Sequence, residues 1–446
     1  MLNVLRNPTY ARLYSAQIVA LLGTGLLTVA LGLIAWDIAG ENAGQVLGLA
    51  LTIKMIAYVF FGPITQALLV SVPRKTVLIA ADLFRALVAL ALPFVSEVWQ
   101  IYILVFLLQL ASATFSPVFQ AVIPSIFKKE GDYTRALSLS RLAYDLESLL
   151  SPALAALLLT VMTYTSLFIG TCFGFVISAI LVWNAKLPHS PSAQAQSFRE
   201  RVLRGSRIYL ATPRLRGLLC LNMAISATGS IVIVNTVIIV RSVYGLDEGA
   251  LAVALGAAGA GSMIAALVLP RVLDKIADRF IMIAAGFGSA VVMSLLGAFV
   301  VSAAWPAWGV FLGIWAAVGF LQAVIMTPSG RLLQRSSSDA DRPALFAAQF
   351  ALSHACWLIA YPLAGFLGAA FGVGIVMLVM GAIAIASVMA AQLLWPAGAT
   401  RDPEHSHTDL PEDHPHLQGA VKTDAGWVHR HPYVIDDEHK TWPVKG

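Results

Sequence analysis

The chain has 446 residues, of which 58% are hydrophobic and only 12% are charged, and its formal net charge is +5. Soluble domains carry about 25% charged residues, so the composition excludes an ordinary soluble protein and predicts a polytopic membrane protein. The three cysteines, Cys172, Cys220 and Cys356, lie in apolar runs without paired spacing. We therefore expect neither a disulfide framework nor a zinc knuckle.

Apolar stretches long enough to cross a bilayer, which takes about 20 residues, recur along the chain. They are predicted at 12–36, 45–70, 76–95, 99–122, 140–162, 165–185, 216–240, 248–270, 280–302, 307–328, 343–368 and 373–395. The first is preceded by no small-residue cleavage site, so we interpret it as a retained span. The sequence thus predicts an all-α membrane protein with twelve transmembrane helices.

The basic residues indicate an orientation in the membrane. Lys and Arg cluster in alternate loops, at 6–12, 74–75, 128–135, 186–216, 271–279 and 331–342, whereas the opposite loops hold only Arg241. The positive-inside rule then places the N-terminus, the long central loop and the tail in the cytoplasm. We expect a multi-pass protein of the cell's inner, or cytoplasmic, membrane.

The chain divides into two six-helix halves. Residues 1–186 and 215–396 form the predicted bundles, and the linker at 187–214 contains a basic amphipathic helix that we expect on an anionic membrane face. SPALAALLL at 151–159 is similar to YPLAGFLGA at 361–369. Pseudo-symmetric halves of this kind are typical of secondary transporters, whose substrate site lies between them near the midplane.

Several segments resemble a known family. GPITQALLVSVPRK at 62–75 and PRVLDKIADRF at 270–280 are similar to the loop signature of the major facilitator superfamily, and the resemblance covers about residues 5–396. AWDIAGENAGQVLGLALTIKMIAYV, SLSRLAYDLESLLSPALAA and ALFAAQFALSHACWLIAYPLAG resemble the nickel-resistance exporters of that superfamily, which also end in a histidine-rich tail. The resemblance implies the major facilitator fold and export of a divalent metal.

Lys54 interrupts the apolar second span. A charged group at the bilayer centre costs about 2.5–3.5 kcal/mol on insertion scales, so it needs a partner or a water-filled cavity. Tyr58 lies one turn further along on the same helix face. Lys54 and Tyr58 are therefore candidates for substrate or proton coupling, and a structural ion pair at Lys54 is the alternative.

The fifth span draws acidic residues into the membrane. Residues 149–183 contain no Asp, Glu, Lys or Arg but number only 35, whereas two spans and a turn need about 43 residues. Arg141 precedes Asp145 by one turn and can pair with it. Glu147 faces elsewhere, together with Tyr144, and is freer to titrate, bind a cation or meet Lys54. A second reading is that both acids only neutralise basic neighbours.

Further candidates lie in the eleventh and first spans. His354 lies about eleven residues inside its span, near the midplane, and it shares a helix face with Tyr361. It is a candidate metal ligand or proton carrier, and a hydrogen-bonded core histidine is the alternative. Asp37, at the outer end of the first span, is a candidate for lining an exit vestibule.

The tail, 397–446, contains seven of the nine histidines. Six of them form His-X-His pairs and are candidate ligands for nickel, zinc, copper or cobalt: His405, His407, His414, His416, His429 and His431. Because the segment is rich in acids and proline, we expect it to be largely disordered. It would then be either a weak, fast-exchanging metal collector or merely a solvated acidic end.

The leading functional prediction is export of a divalent metal, nickel or cobalt, by proton antiport and alternating access. The alternatives are export of an organic anion, siderophore or metal chelate, which Lys54 favours, a multidrug exporter, or a membrane-anchored metal sensor. The sequence holds no Walker-type phosphate loop or catalytic constellation, so we predict neither an enzyme nor a cofactor. The expected partners are the metal ion, protons and the lipid bilayer, without nucleic acid, and we expect a monomer.

Overall fold

The computed structural model describes residues 2–39, 43–188, 197–302, 305–397, 402–407, 411, 414–423, 426–436 and 438–443. The helices are α1 (Pro8–Ala39), α2 (Ala43–Ile56), α3 (Gly62–Leu68), α4 (Arg74–Ala91), α5 (Val98–Ile126), α6 (Glu130–Leu159), α7 (Tyr164–Asn184), α8 (Phe198–Ala211), α9 (Pro213–Ser230), α10 (Thr236–Ile238), α11 (Glu248–Leu273), α12 (Asp278–Ser302), α13 (Trp308–Arg335), α14 (Arg342–Phe371) and α15 (Val373–Leu394).

Eleven helices in the described part of the chain are long and apolar enough to cross a membrane. The predicted fifth span corresponds to α6, which has 30 residues and carries the charged groups discussed above. Six spans precede the linker helix α8 and six follow it, so the predicted all-α architecture is confirmed. We call the side that holds the N-terminus, α8 and the Arg-rich loops the basic side.

The second span changes helix type at the level of the candidate residues. The second span passes from α2 through a π-helical turn, Ala57–Phe61, into α3, which begins with Gly62 and a proline. Proline has no amide hydrogen to donate, so the α-helical ladder is interrupted at that position. π-helical turns inside α-helices are frequent at functional sites, and this one contains Tyr58.

The two halves have separate cores. Leu27, Leu78, Phe168 and Phe175 are fully buried in the first half. In the second half a single large core includes the fully buried Trp315. The small residues at 255–262 predict close helix approach, and this is confirmed. A Cβ atom on Gly261 would lie 1.8 Å from the carbonyl oxygen of Ala316, where α11 crosses α13.

The linker helix is present where the sequence predicts it, and it packs on the membrane helices. Ser197 caps α8, and its side chain and that of Glu200 form a reciprocal capping box. Arg204 forms an ion pair with Asp341, which precedes α14. A Cβ atom on Gly205 would lie 2.1 Å from the carbonyl oxygen of Ala344. The helix therefore touches protein on one face, in addition to the membrane surface predicted for it.

The prediction of a largely disordered tail is wrong for the described residues. Strands β1 (Glu404–His407), β2 (Val421–Thr423) and β3 (Gly426–Arg430) form an antiparallel sheet in the order β1-β3-β2. Tyr433 and Ile435 are buried in the core of the second half. The reason is that the tail does not build a core of its own but inserts apolar side chains into that of the membrane domain.

Candidate functional site

Lys54, Tyr58 and His354 meet between the two halves. The Lys54 Nζ atom lies 5.6 Å from the centroid of the Tyr58 ring. The ring of His354, from α14, meets the Tyr58 ring edge-on with the centroids 4.8 Å apart. His354 Nδ1 lies 2.7 Å from the carbonyl oxygen of Phe350, so this nitrogen carries the hydrogen and Nε2 is left as an acceptor. The sequence predicted each residue separately, and the structure brings them together.

Glu147 and Tyr144 face the same region from α6. Glu147 is close enough to Lys54 for an electrostatic interaction. Tyr144 interacts with Glu147 and lies next to Gln17 of α1. Although these neighbours belong to the interior of the bundle, 40% of Tyr144 is exposed. An exposed tyrosine among interior polar groups indicates an open space there, as a water-filled passage requires.

Arg141 and Asp145 form the ion pair that their spacing predicts, and the pair joins the two halves. The Arg141 Nη2 atom lies 3.0 Å from Asp145 Oδ1. Arg141 Nε also donates to Ser262 Oγ of α11 at 2.9 Å, and Ser262 donates to Asp145 Oδ2 at 2.8 Å. This closed triangle satisfies the buried carboxylate. Arg141 and Asp145 thus form a contact at the interface between the two halves, whereas Glu147 is the acid that lies next to Lys54.

Two predicted residues lie apart from this cluster. Tyr361 packs on Trp357 with the ring centroids 5.1 Å apart. Asp37 accepts a hydrogen bond from the Tyr164 hydroxyl at the far ends of α1 and α7. The position of Asp37 is compatible with a vestibule on the side opposite to the basic side.

The two halves are tied together on the basic side by an ion-pair network consisting of Glu130, Asp278, Arg331 and Arg335. Glu130 of the first half pairs with both arginines of α13. Arg335 Nη1 also lies 2.7 Å from Asp278 Oδ2. Burial raises the pKa of Glu130, but Arg335 and Arg331 outweigh that effect and hold it below its usual value. We call these four residues the basic-side network.

The tail histidines form one compact cluster because of strand geometry. Residues two apart on a strand point to the same face, so His405 and His407 on β1 present both rings together, as do His429 on β3 and His431 one residue beyond its end. His405 is the cross-strand partner of His429. His407 and His431 flank this pair on the same face. The turn Pro415–Leu417 adds His416, and the last described segment adds His439.

The ring nitrogens of this cluster lie close enough to each other to bind the same metal ion. His416 Nε2 is 3.1 Å from His407 Nε2 and 3.3 Å from His431 Nε2. His439 Nε2 is 3.2 Å from His405 Nε2. Burial lowers the pKa of His429 to about 4. The His429 ring is therefore neutral at physiological pH, which is the form that binds metal.

Two of the predicted metal ligands lie outside the groups that the structure brings together, and one histidine in these groups was not predicted. Among the described residues, groups of three or more metal-ligand side chains occur in the tail, and none of them includes His354 or His414. His414 instead lies with Nε2 3.9 Å from a carboxylate oxygen of Glu438. His439 belongs to such a group but was not predicted, because it is not part of a His-X-His pair and follows a run of acids.

Three other polar residues were missed. Gln109 accepts a hydrogen bond from the Tyr58 hydroxyl at 2.8 Å. Gln17 and Ser262 complete the surroundings of Tyr144 and Asp145. An isolated amide within an apolar run, as in LLQLAS, is a usable signal for such residues, because an unpaired polar group in the membrane is costly.

A two-bundle helical protein with ionisable groups buried between its halves is a secondary transporter in architecture. The sequence profile described as Major Facilitator Superfamily matches residues 13–305. The chain belongs to this superfamily, whose members are membrane transporters and not enzymes.

The similar proteins of known name match only part of the chain. Macrolide efflux protein A of Streptococcus pyogenes is 27% identical over 181 residues, which is 40% of this chain and 44% of that protein. An uncharacterised MFS-type transporter of Bacillus subtilis is 24% identical over 224 residues, or 48% of this chain and 52% of that protein. The chain thus spans about half the length of the curated relatives it matches.

Solved structures resemble the chain over most of its length. The human organic anion transporter MFSD10 has a TM-score of 0.73 at 11% identity, covering 86% of this chain and 99% of its own. A bacterial homologue of the iron transporter ferroportin, in an outward-facing state, has a TM-score of 0.69 at 15% identity, covering 87% and 98%. At these identities the likeness establishes the major facilitator fold alone.

Proposed function

We propose that this protein exports a divalent transition-metal cation, nickel or cobalt, in exchange for protons. The observation that carries the proposal is the histidine cluster in the tail, because imidazole nitrogens are the ligands that these ions prefer. The cluster lies against the half that contains α9, on the basic side. We take that side as cytoplasmic and the membrane as the inner membrane, in agreement with the placement of Lys and Arg.

Proton exchange is assigned to Glu147, which faces Lys54. In the empty site Lys54 acts as a cation that stabilises the ionised Glu147 carboxylate. Cargo arriving from the cytoplasm competes with Lys54 for this carboxylate, and a proton arriving from outside neutralises it and releases the cargo. His354 offers its free Nε2 to the same space, as an additional ligand or as a proton carrier.

The conformation supports a cycle of alternating access. Because the basic-side network joins the two halves, the path to the cytoplasm is closed at Glu130 and Arg335. Export then requires this network to separate so that cargo enters from the cytoplasm, and to re-form before cargo leaves on the other side. We propose that the structure represents the state closed toward the cytoplasm.

Transport by inverted membrane vesicles tests the proposal. With an imposed proton gradient, free Ni²⁺ or Co²⁺ is expected to accumulate in vesicles containing the protein, and dissipating the gradient should stop accumulation. Lys54→Ala should retain metal transport, since the ammonium is not a ligand. If the folded protein is shown to be inserted and the vesicles accumulate neither ion, the proposal of metal export is rejected.

Export of an organic molecule is the second candidate, and the partial similarity to macrolide efflux proteins favours it. Tyr58, Tyr144 and Phe350 offer aromatic surface next to the interior space, and Lys54 suits an anionic group such as a carboxylate or a metal chelate. In this case Lys54→Ala should abolish transport of the anion. The same vesicles, tested with a labelled macrolide and with chelated Fe³⁺, distinguish this candidate from export of a free ion.

A further inference from the structure

The histidine cluster is assembled from four separate segments of the tail. Two groups of four nitrogens can each surround an ion, and within each group all ligand atoms lie within 4.8 Å of one another. The first group is His405, His416, His429 and His431, and the second is His405, His407, His416 and His439. Both groups therefore use His405 and His416.

The spacing of the nitrogens matches that of metal ligands. A tetrahedral ion with metal–nitrogen bonds of about 2.0–2.1 Å places its ligand atoms about 3.3–3.4 Å apart. The Nε2–Nε2 distances within the cluster are 3.1 Å for His407 and His416, 3.2 Å for His405 and His439, and 3.3 Å for His416 and His431. The rings are thus already at the separation that one ion requires.

Partners on the outer side of the rings fix the orientation of their nitrogens. His416 Nδ1 lies 2.7 Å from Glu438 Oε2, and His439 Nδ1 lies 2.9 Å from Asp436 Oδ1. His405 Nδ1 lies 3.0 Å from the carbonyl oxygen of Pro403. A carboxylate or carbonyl on one ring nitrogen orients the other toward a metal, and such partners contribute to affinity.

We propose that the tail is a folded site for one divalent cation of the nitrogen-preferring class, which includes Ni²⁺, Co²⁺, Zn²⁺ and Cu²⁺. His405 and His416 hold the ion in both arrangements, and the remaining ligands are either His429 with His431 or His407 with His439. Since the shared imidazoles each offer one nitrogen, the two arrangements exclude each other. The ion shifts between them without leaving the cluster.

The bound ion also secures the end of the chain on the membrane domain. His439 belongs to the segment that contains Tyr433 and Trp442. Arg214, at the start of α9, donates to the carbonyl oxygen of Tyr433 at 3.3 Å and lies 5.2 Å from the Trp442 ring centroid. Coordination of His439 together with His405 therefore ties this segment to the sheet while it is docked on Arg214.

The site differs from a flexible collector in two measurable respects. A disordered tail with three equivalent His-X-His pairs binds up to three ions, and His414 and His416 contribute equally to one of them. The folded site binds one ion, uses His416 in both arrangements and does not use His414. The proposal concerns the tail alone and holds whichever cargo the membrane cavity carries.

Calorimetric titration of the purified full-length protein, stripped of metal and kept in detergent, tests the site with Ni²⁺ alone. We expect one tight ion per chain, a loss of affinity above about tenfold in His416→Ala, and affinity within about twofold of the parent in His414→Ala. The double variant His407→Ala with His431→Ala removes one ligand from each arrangement and should also weaken binding. Ni²⁺ should slow proteolysis of the tail in the parent and in His414→Ala, but not in His416→Ala.

Three results would overturn the proposal. The first is a stoichiometry near three ions, and the second is an equal loss of affinity in His414→Ala and His416→Ala. The third is unchanged affinity in the double variant, which would reject the two arrangements. Vesicle transport by His416→Ala is measured separately, so that a transporter with an altered tail site is distinguished from a protein that does not transport metal.

Discussion

Arg335, at the end of α13, donates a hydrogen bond to the carboxylate of Glu130, at the start of α6. The same arginine reaches Asp278 at the start of α12. A single guanidinium thus connects one helix of the first half with two helices of the second. In the proposed cycle of alternating access the two halves move against each other, and this contact must then break.

Glu130→Gln is expected to shift the protein toward the state that is open on the basic side. The amide removes the charge attraction to Arg335 and Arg331. Since the pKa of Glu130 is lowered in the closed state, the attraction is fully present above the usual glutamate pKa of about 4.3. The attraction is lost as the pH falls through the lowered pKa that Glu130 has in the closed state. The network therefore stays closed at neutral pH in the parent protein.

Electron spin resonance distance measurements between labels at Lys128→Cys and Ala340→Cys, in a background without the three native cysteines, report this opening. Asp132→Asn is the matched control, since Asp132 pairs with Arg135 of its own helix at 2.8 Å. Identical distance distributions in Glu130→Gln and Asp132→Asn would show that the network does not hold the halves together.

The membrane part of the candidate site was largely predictable from the sequence. Lys54, Glu147 and His354 stand out because ionisable groups are costly within apolar spans, and the spacing of Arg141 and Asp145 predicts their pair. Helical periodicity gives the face of a residue but not the distance between two helices. The contact of His354 with Tyr58 across the halves, and the role of Ser262, required the structure for this reason.

Glu147→Gln is expected to uncouple transport from the proton gradient. The amide cannot release or take up a proton, so gradient-driven transport should fall by more than about tenfold, in the range that general acid–base groups contribute. Exchange of labelled for unlabelled cargo across the membrane needs no net proton transfer, so it should fall less, since the amide oxygen remains as a weaker ligand for the cargo. The readout is the ratio of gradient-driven uptake to exchange in the same vesicles.

Asp132→Asn serves again as a control, because it removes a carboxylate of α6 outside the cavity and should change neither rate. If Glu147→Gln retains a transport rate that still responds to pH, the proton must be carried elsewhere. His354 would then be the next residue to replace.

Gly261→Ala is expected to destabilise the second half by about 1–3 kcal/mol. The added methyl group would lie 1.8 Å from the carbonyl oxygen of Ala316, so α11 and α13 must separate. Gly313→Ala is the matched control, since its Cβ would meet nothing within 4 Å and alanine favours the helix by up to about 1 kcal/mol. The melting temperature in detergent should fall for the first variant only. Equal melting temperatures would mean that the crossing tolerates a wider spacing.

The tail was the least predictable part. Its acids, prolines and low hydrophobicity are typical of disorder, and the apolar residues Tyr433 and Ile435 are too few to form a core. They become ordered because the end of the second half offers a surface for them, which no local pattern reveals. The His-X-His spacing at 405–407 and 429–431 is a strand pattern, because alternate residues on a strand share a face.

The docking of Tyr433 and Ile435 in the core of the second half has a practical consequence. If the halves rock as rigid bodies, the tail moves together with the second half. A fluorophore or an antibody fragment bound at β2 would then report the movement of that half without contacting the first half. The chain's own end thus offers a reporter position for following turnover in single molecules.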